Sequence, residues 1–166
     1  MTAEESFILG ILAFLGVFIV VIFIMAIVLY LFLAFGLFKM GQREGIDYAW
    51  LAFIPYAQYY LLAVLVKDRL GSGMREALPW ILIGLMAANF MFGFISSFIP
   101  FAFIITIPLG LALTGFTLFA FFHLFKKYSD SYVVMFVFTI LTLGALGSIF
   151  TFVIRNNEKR LDGAAV

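Results

Sequence analysis

The sequence predicts an all-α polytopic membrane helix bundle, with four spans plus a re-entrant or interfacial helix, or five spans. Three observations carry that prediction. Hydrophobic residues make up 66% of the 166 residues, charged residues 11%, and the mean hydropathy is +1.20. Ordinary soluble domains are roughly 45–50% apolar and 25% charged. The apolar residues also run in blocks that reach or exceed the roughly 18 residues marking a membrane-spanning helix. Short polar joints separate the blocks and leave no room for a soluble domain.

The first block, Phe7–Phe38, holds 32 residues without a charge. A signal peptide's apolar stretch is about 7–15 residues, and Glu4 and Glu5 occupy the place of its basic leader, so this segment is expected to stay and span. As one straight helix it would be about 48 Å long against a hydrocarbon core of roughly 30 Å. It must tilt or project, with the Gly36 end as the expected projection. The second block, Ala49–Val66, contains Pro55 near its middle and is treated below. The third and fourth, Ala77–Ile99 and Phe101–Leu124, meet at Ser96–Pro100 without a charge, which reads as a tight helical hairpin. The fifth, Tyr132–Ile154, reads as one span. Residues 1–155 thus form a single transmembrane domain, and 156–166 a flexible polar tail expected to fray.

Counting cations tests the second block. If all five blocks span, Lys and Arg divide five against five, with no positive-inside bias. If Ala49–Val66 enters and leaves one face, the count becomes seven against three, with only the tail's Arg155, Lys159 and Arg160 on the other side. Aromatic composition leans the same way: Tyr48, Trp50, Tyr56, Tyr59 and Tyr60 are five of the nine Tyr and Trp residues, and these side chains favour the headgroup level. Both topologies stay open here.

The most patterned stretch joins Gly36-Leu37-Phe38-Lys39-Met40, a basic loop with Gly45, and Trp50-Leu51-Ala52-Phe53-Ile54-Pro55 followed by Gln58, Tyr59 and Tyr60. It resembles a group of small bacterial polytopic membrane proteins to which no reaction is assigned. In that group a G-L-x-K-M edge precedes a W-x-x-x-I-P aromatic element. The likeness covers about a quarter of the chain and departs at Gln58, where the group often carries Asn. It implies a multi-pass protein of the bacterial cytoplasmic (plasma) membrane and transfers no catalytic residue. Physically, Gly45 permits a turn, Trp50 anchors at the interface, and Pro55 frees carbonyls near Phe53 and Leu51 that Gln58 is placed to cap. Gly45, Trp50, Pro55, Gln58 and Tyr59 are therefore a candidate recognition elbow, with a plain packing elbow as the alternative.

Small and hydroxyl residues recur at helical spacing: Thr106, Gly110, Thr114 and Thr117; Gly144, Ser148 and Thr151; Asn89, Gly93 and Ser97. Such faces let membrane helices approach closely, and Asn89 is the candidate polar packing residue. The same stripes would serve a polar path between helices, with Pro108 as a kink.

Several function classes are excluded or disfavoured. A net charge of +1 provides no field for nucleic acid. Zero cysteines and a lone His123 leave no thiolate or His-based metal site, and no cofactor is expected. Ser96 and Ser97 lie a membrane's thickness, roughly 30 Å, from His123, so no Ser–His dyad forms. His123 reads instead as a cation at a helix C-terminus. No block carries an ionisable residue at depth, which argues against ion-coupled transport. The expected role is non-enzymatic: an accessory protein binding lipid, a membrane-protein partner or its own copies. The alternatives are a passive or partner-driven carrier of a neutral or lipid-like molecule, and self-protection against a membrane-active peptide.

Overall fold

The computed structural model describes residues 3–160. Six α-helices follow one another: α1 (Ala3–Arg43), α2 (Ala57–Leu65), α3 (Ser72–Ser96), α4 (Phe103–Tyr128), α5 (Tyr132–Leu141) and α6 (Ala145–Val153), with short 3-10 turns between several of them and no strand among the described residues. Three helices, α1, α3 and α4, are long and apolar enough to cross a membrane. Helix α2 has nine residues, α5 ten and α6 nine, about 14–15 Å each by helical rise, or half a hydrocarbon core.

The fifth block therefore departs from expectation, because Tyr132–Ile154 is two helices and not one. Helix α5 closes with the Gly144 N–H donating to the Thr139 carbonyl at 2.7 Å and the Leu143 N–H to Ile140 at 3.0 Å. Leu143 takes a left-handed φ of 52° and Gly144 a φ of 94°. This is the paired bond pattern of a Schellman cap, and it satisfies the carbonyls that a break would orphan. The Thr142 hydroxyl accepts the Leu146 N–H at 3.1 Å and so starts α6. The chain then returns to its starting level, where the Asn157 amide donates to the Tyr128 carbonyl at 2.9 Å.

The second block is also broken. Gly45, φ 73°, caps α1 with the same paired bonds, its N–H on Gln42 and the Ile46 N–H on Gly41. A 3-10 turn over Ala49–Phe53 and a bend at Ile54–Tyr56 precede α2. The Phe53 carbonyl freed near Pro55 is capped by the Tyr30 hydroxyl at 2.6 Å, not by Gln58. Tyr30 is the one tyrosine in the first block, and that rarity was the signal to follow.

Helices α3 and α4 form the expected hairpin, and Asn89 on α3 donates to the Thr106 carbonyl on α4 at 3.2 Å. Gly110 lies against this bond, where a Cβ would make an ordinary contact, 3.5 Å, with the Asn89 amide nitrogen. The buried core, including Leu37, Met40, Leu61, Leu78, Leu124 and Phe125, gathers where α1, α2, α3 and α4 converge, with Phe150 of α6 packed against it. The Gly36 end of α1 is packed into the bundle: a Cβ on Gly36 would fall 2.9 Å from the Thr151 backbone. The uncovered part is the other half, where every residue from Glu4 to Val28 is exposed.

Candidate functional site

One end of the bundle collects the charge. Lys127, 1% exposed, donates to the Leu65 carbonyl at 2.6 Å and pairs with Glu44 at 2.9 Å and Asp68 at 3.1 Å. Lys159 bridges the same two carboxylates, and the Tyr128 hydroxyl donates to Glu44 at 2.7 Å. Burial raises both carboxyls, but the hydrogen bonds and charges of their partners outweigh it and hold both below their ordinary range: Tyr128, Lys127 and Lys159 on Glu44, and Lys159 and Lys127 on Asp68. Hydrogen bonding to Asp68 in turn raises Lys159. Arg43 donates to the carbonyls of Arg155 and Asn157, Arg160 pairs with Asp130 at 3.0 Å, and Arg69 donates to the Arg160 carbonyl. The part of the tail within the described residues is thus bonded into this end, where the sequence suggested fraying. All ten Lys and Arg residues lie on the helix ends and loops gathered here, the three tail cations included.

Above this ionic layer, the broken elements enclose a cleft of about 610 Å³ between α1, α2, α4 and the α5–α6 hairpin. Its walls are mainly apolar, yet Tyr59, Thr114, Thr117, Thr139 and Ser148 all line it, and no charged residue does. Thr114 and Thr139 spend their hydroxyl protons on carbonyls one turn back, Gly110 and Met135. The Thr117 hydroxyl oxygen is buried without a hydrogen-bond partner among the described residues. The cleft reaches the surface at Leu143, which is 98% exposed.

A second groove of about 430 Å³ lies at the elbow, lined by Pro55, Tyr56 and Ala57 and, across it, Ile83, Met86 and Phe90 of α3. Asn89, Gly93 and Phe94 continue that wall into an adjoining hollow of about 350 Å³. Tyr56 has a φ of 75°. The two non-glycine residues with left-handed backbone among the described residues, Tyr56 and Leu143, therefore lie at the two chain breaks, each on the rim of a cavity. Such conformations cost roughly 1–3 kcal/mol and persist where the surroundings over-determine them.

The five elbow residues do not converge on one pocket. Pro55 lines the elbow groove, and Tyr59, four residues on in α2, lines the hydroxyl cleft. Gln58 lies between them, 7% exposed, with its amide oxygen buried and unpartnered among the described residues. Trp50 is 56% exposed, and Gly45 serves the α1 cap. Thr117, Ser148 and Gly144 entered the sequence reading as packing residues. Their joint placement depends on the break at Thr142–Gly144, which a uniformly apolar block conceals. The His123 ring lies tilted against Phe119, at 4.3 Å between centroids, with Nδ1 2.9 Å from the Phe119 carbonyl. No protein-family model, curated protein or solved structure matches the chain, so any functional reading rests on its own geometry.

Proposed function

We propose that this is a non-enzymatic integral protein of the cytoplasmic membrane that binds an uncharged, lipid-like molecule in the hydroxyl cleft. The observation that carries the reading is the cleft's lining: apolar walls, several hydroxyls, no charge, and one buried hydroxyl without a partner. An unpaired buried hydroxyl costs about 1–3 kcal/mol, which a ligand carbonyl or hydroxyl would recover once rotation of the Thr117 side chain brings its oxygen to the cleft surface. A cavity at membrane depth lined by irregular backbone is also where such backbone is tolerated in a bilayer.

In the accompanying topology α1, α3 and α4 cross, while Ala49–Val66 and Tyr132–Ile154 both enter and leave from the charged end. Ten cations then share one face with none opposite, and the positive-inside rule assigns that face to the cytoplasm, with Glu4 and Glu5 outside.

The test is purification in mild detergent followed by native mass spectrometry. Wild-type protein is expected to retain a neutral lipid species that Thr117→Val with Ser148→Ala weakens and Ala145→Trp, which fills the cleft, abolishes. Equal retention in all three overturns the cleft as the site. A second reading, a membrane-protein partner or a second copy on α1, is favoured by the bare Glu4–Val28 surface. A stable protein companion with no bound lipid would select it.

A further inference from the structure

The distribution of mass along the bundle is unequal. At the charged end six helical segments stand side by side, because the Lys127 bond to Leu65 holds α2 against α4, the Arg43 bonds to Arg155 and Asn157 hold α1 against the end of α6, and the Asn157 bond to Tyr128 returns the α5–α6 hairpin to α4. At the opposite end only α1, α3 and α4 remain among the described residues, and α1 is exposed at every residue from Glu4 to Val28. The hairpin tips mark the step between the two: Leu143, 98% exposed, and Tyr56, 55% exposed. Each helix with its side chains is roughly 10–12 Å across, so the three added segments occupy on the order of 300 Å² in one leaflet and nothing in the other. The added segments are also tied down by an ionic layer and do not hang loose, so the step in cross-section is part of the folded state.

We propose that the protein is a wedge that senses and favours membrane curvature, its partner being a lipid surface bent convex on the charged side. This rests on the three-crossing topology and not on the ligand reading. A cross-section wider in one leaflet expands that leaflet relative to the other, and the mismatch is relieved where that leaflet is on the outside of a bend. The exposed apolar tips fill the packing gaps that bending opens between acyl chains at that depth, in the manner of curvature-sensitive interfacial helices. The lone outer half of α1 adds little cross-section to the opposite leaflet.

The experiment uses the full chain, with one cysteine introduced at Ser129, reconstituted into phosphatidylcholine–phosphatidylglycerol vesicles of about 30 nm and about 200 nm diameter, where curvature dependence is readable. Impermeant thiol labelling sorts the molecules by orientation, and protein per lipid is counted in each population. Charged-end-out molecules are expected to be several-fold denser on the small vesicles, and charged-end-in molecules depleted there. Equal density in both orientations, or enrichment regardless of orientation, overturns the wedge. Labelling that places Gln42, Ser72, Ser129 and Asn157 on different faces would show that the topology itself had failed, which separates the two outcomes.

Discussion

Lys127 is the residue on which the charged end turns, since its ammonium is almost fully buried and faces Glu44, Asp68 and the Leu65 carbonyl together. Replacing it as Lys127→Met leaves two carboxylates facing each other with only Lys159 between. The expected loss is about 3 kcal/mol, the lower end of the range for breaking a buried ion pair, measured as a fall in detergent melting temperature. The pH dependence has a definite sign. Glu44 and Asp68 are depressed below ordinary values of 4.5 and 3.8, so their contribution is present above those values and lost as pH falls through the depressed ones. Lys159 is raised above 10.5, so its contribution is intact below that pH and lost only beyond it. Melting temperature should therefore hold from neutral pH down to about pH 5 and drop in stronger acid, and a protein insensitive to acid would contradict the layer's role. Two amides behave oppositely. Asn89→Leu removes the Thr106 bond and should cost about 0.6–2 kcal/mol. Gln58→Leu removes an unpartnered buried oxygen and should stabilise the ligand-free protein by about 1 kcal/mol. The sequence offered the two as comparable candidates, because an amide's type is visible in a sequence and its partner is not.

At the scale of elements, the glycines of α1 separate packing from tolerance. Gly36 meets the Thr151 backbone at 2.9 Å from its would-be Cβ, whereas Gly10 and Gly16 meet nothing within 4 Å. Gly36→Ala should cost about 1–3 kcal/mol by forcing α1 off α6, while Gly10→Ala and Gly16→Ala should be neutral or slightly stabilising. Thermal unfolding of the three variants checks this, and equal effects would mean α1 does not pack as described. Gly147 repeats the theme inside the hairpin, 2.8 Å from the Thr139 methyl. Thus α5 and α6 close on each other, with Leu143 in the left-handed position where glycine is usual. Pro55 and Gly45 announced the first break in the chain. The second break had only Gly144, which the helical spacing with Ser148 and Thr151 made look like a packing stripe.

At the scale of the whole molecule, cysteines introduced singly at Gln42, Ser72, Ser129 and Asn157 should all label from one side of the membrane, and one at Phe98 from the other. A split between 42 and 72 would mean that the second block crosses, and a split between 129 and 157 that the fifth does. The seven-to-three cation count already favoured a returning second block. It left the tail as the dissent because a continuous fifth span was assumed.

Composition and block length by themselves determined that the chain is helical and apolar enough for a bilayer, since burying so little charge in so much hydrocarbon has no other low-energy solution. They also determined the α3–α4 hairpin and the break at Pro55, which rest on local backbone chemistry. Only the tertiary structure decided that the last block folds back, that Tyr30 and not Gln58 caps Phe53, and that Thr117, Ser148 and Tyr59 share a cleft. Each of these depends on a contact between residues distant in sequence, and hydrophobic patterning is blind to such contacts when every face of a helix is apolar.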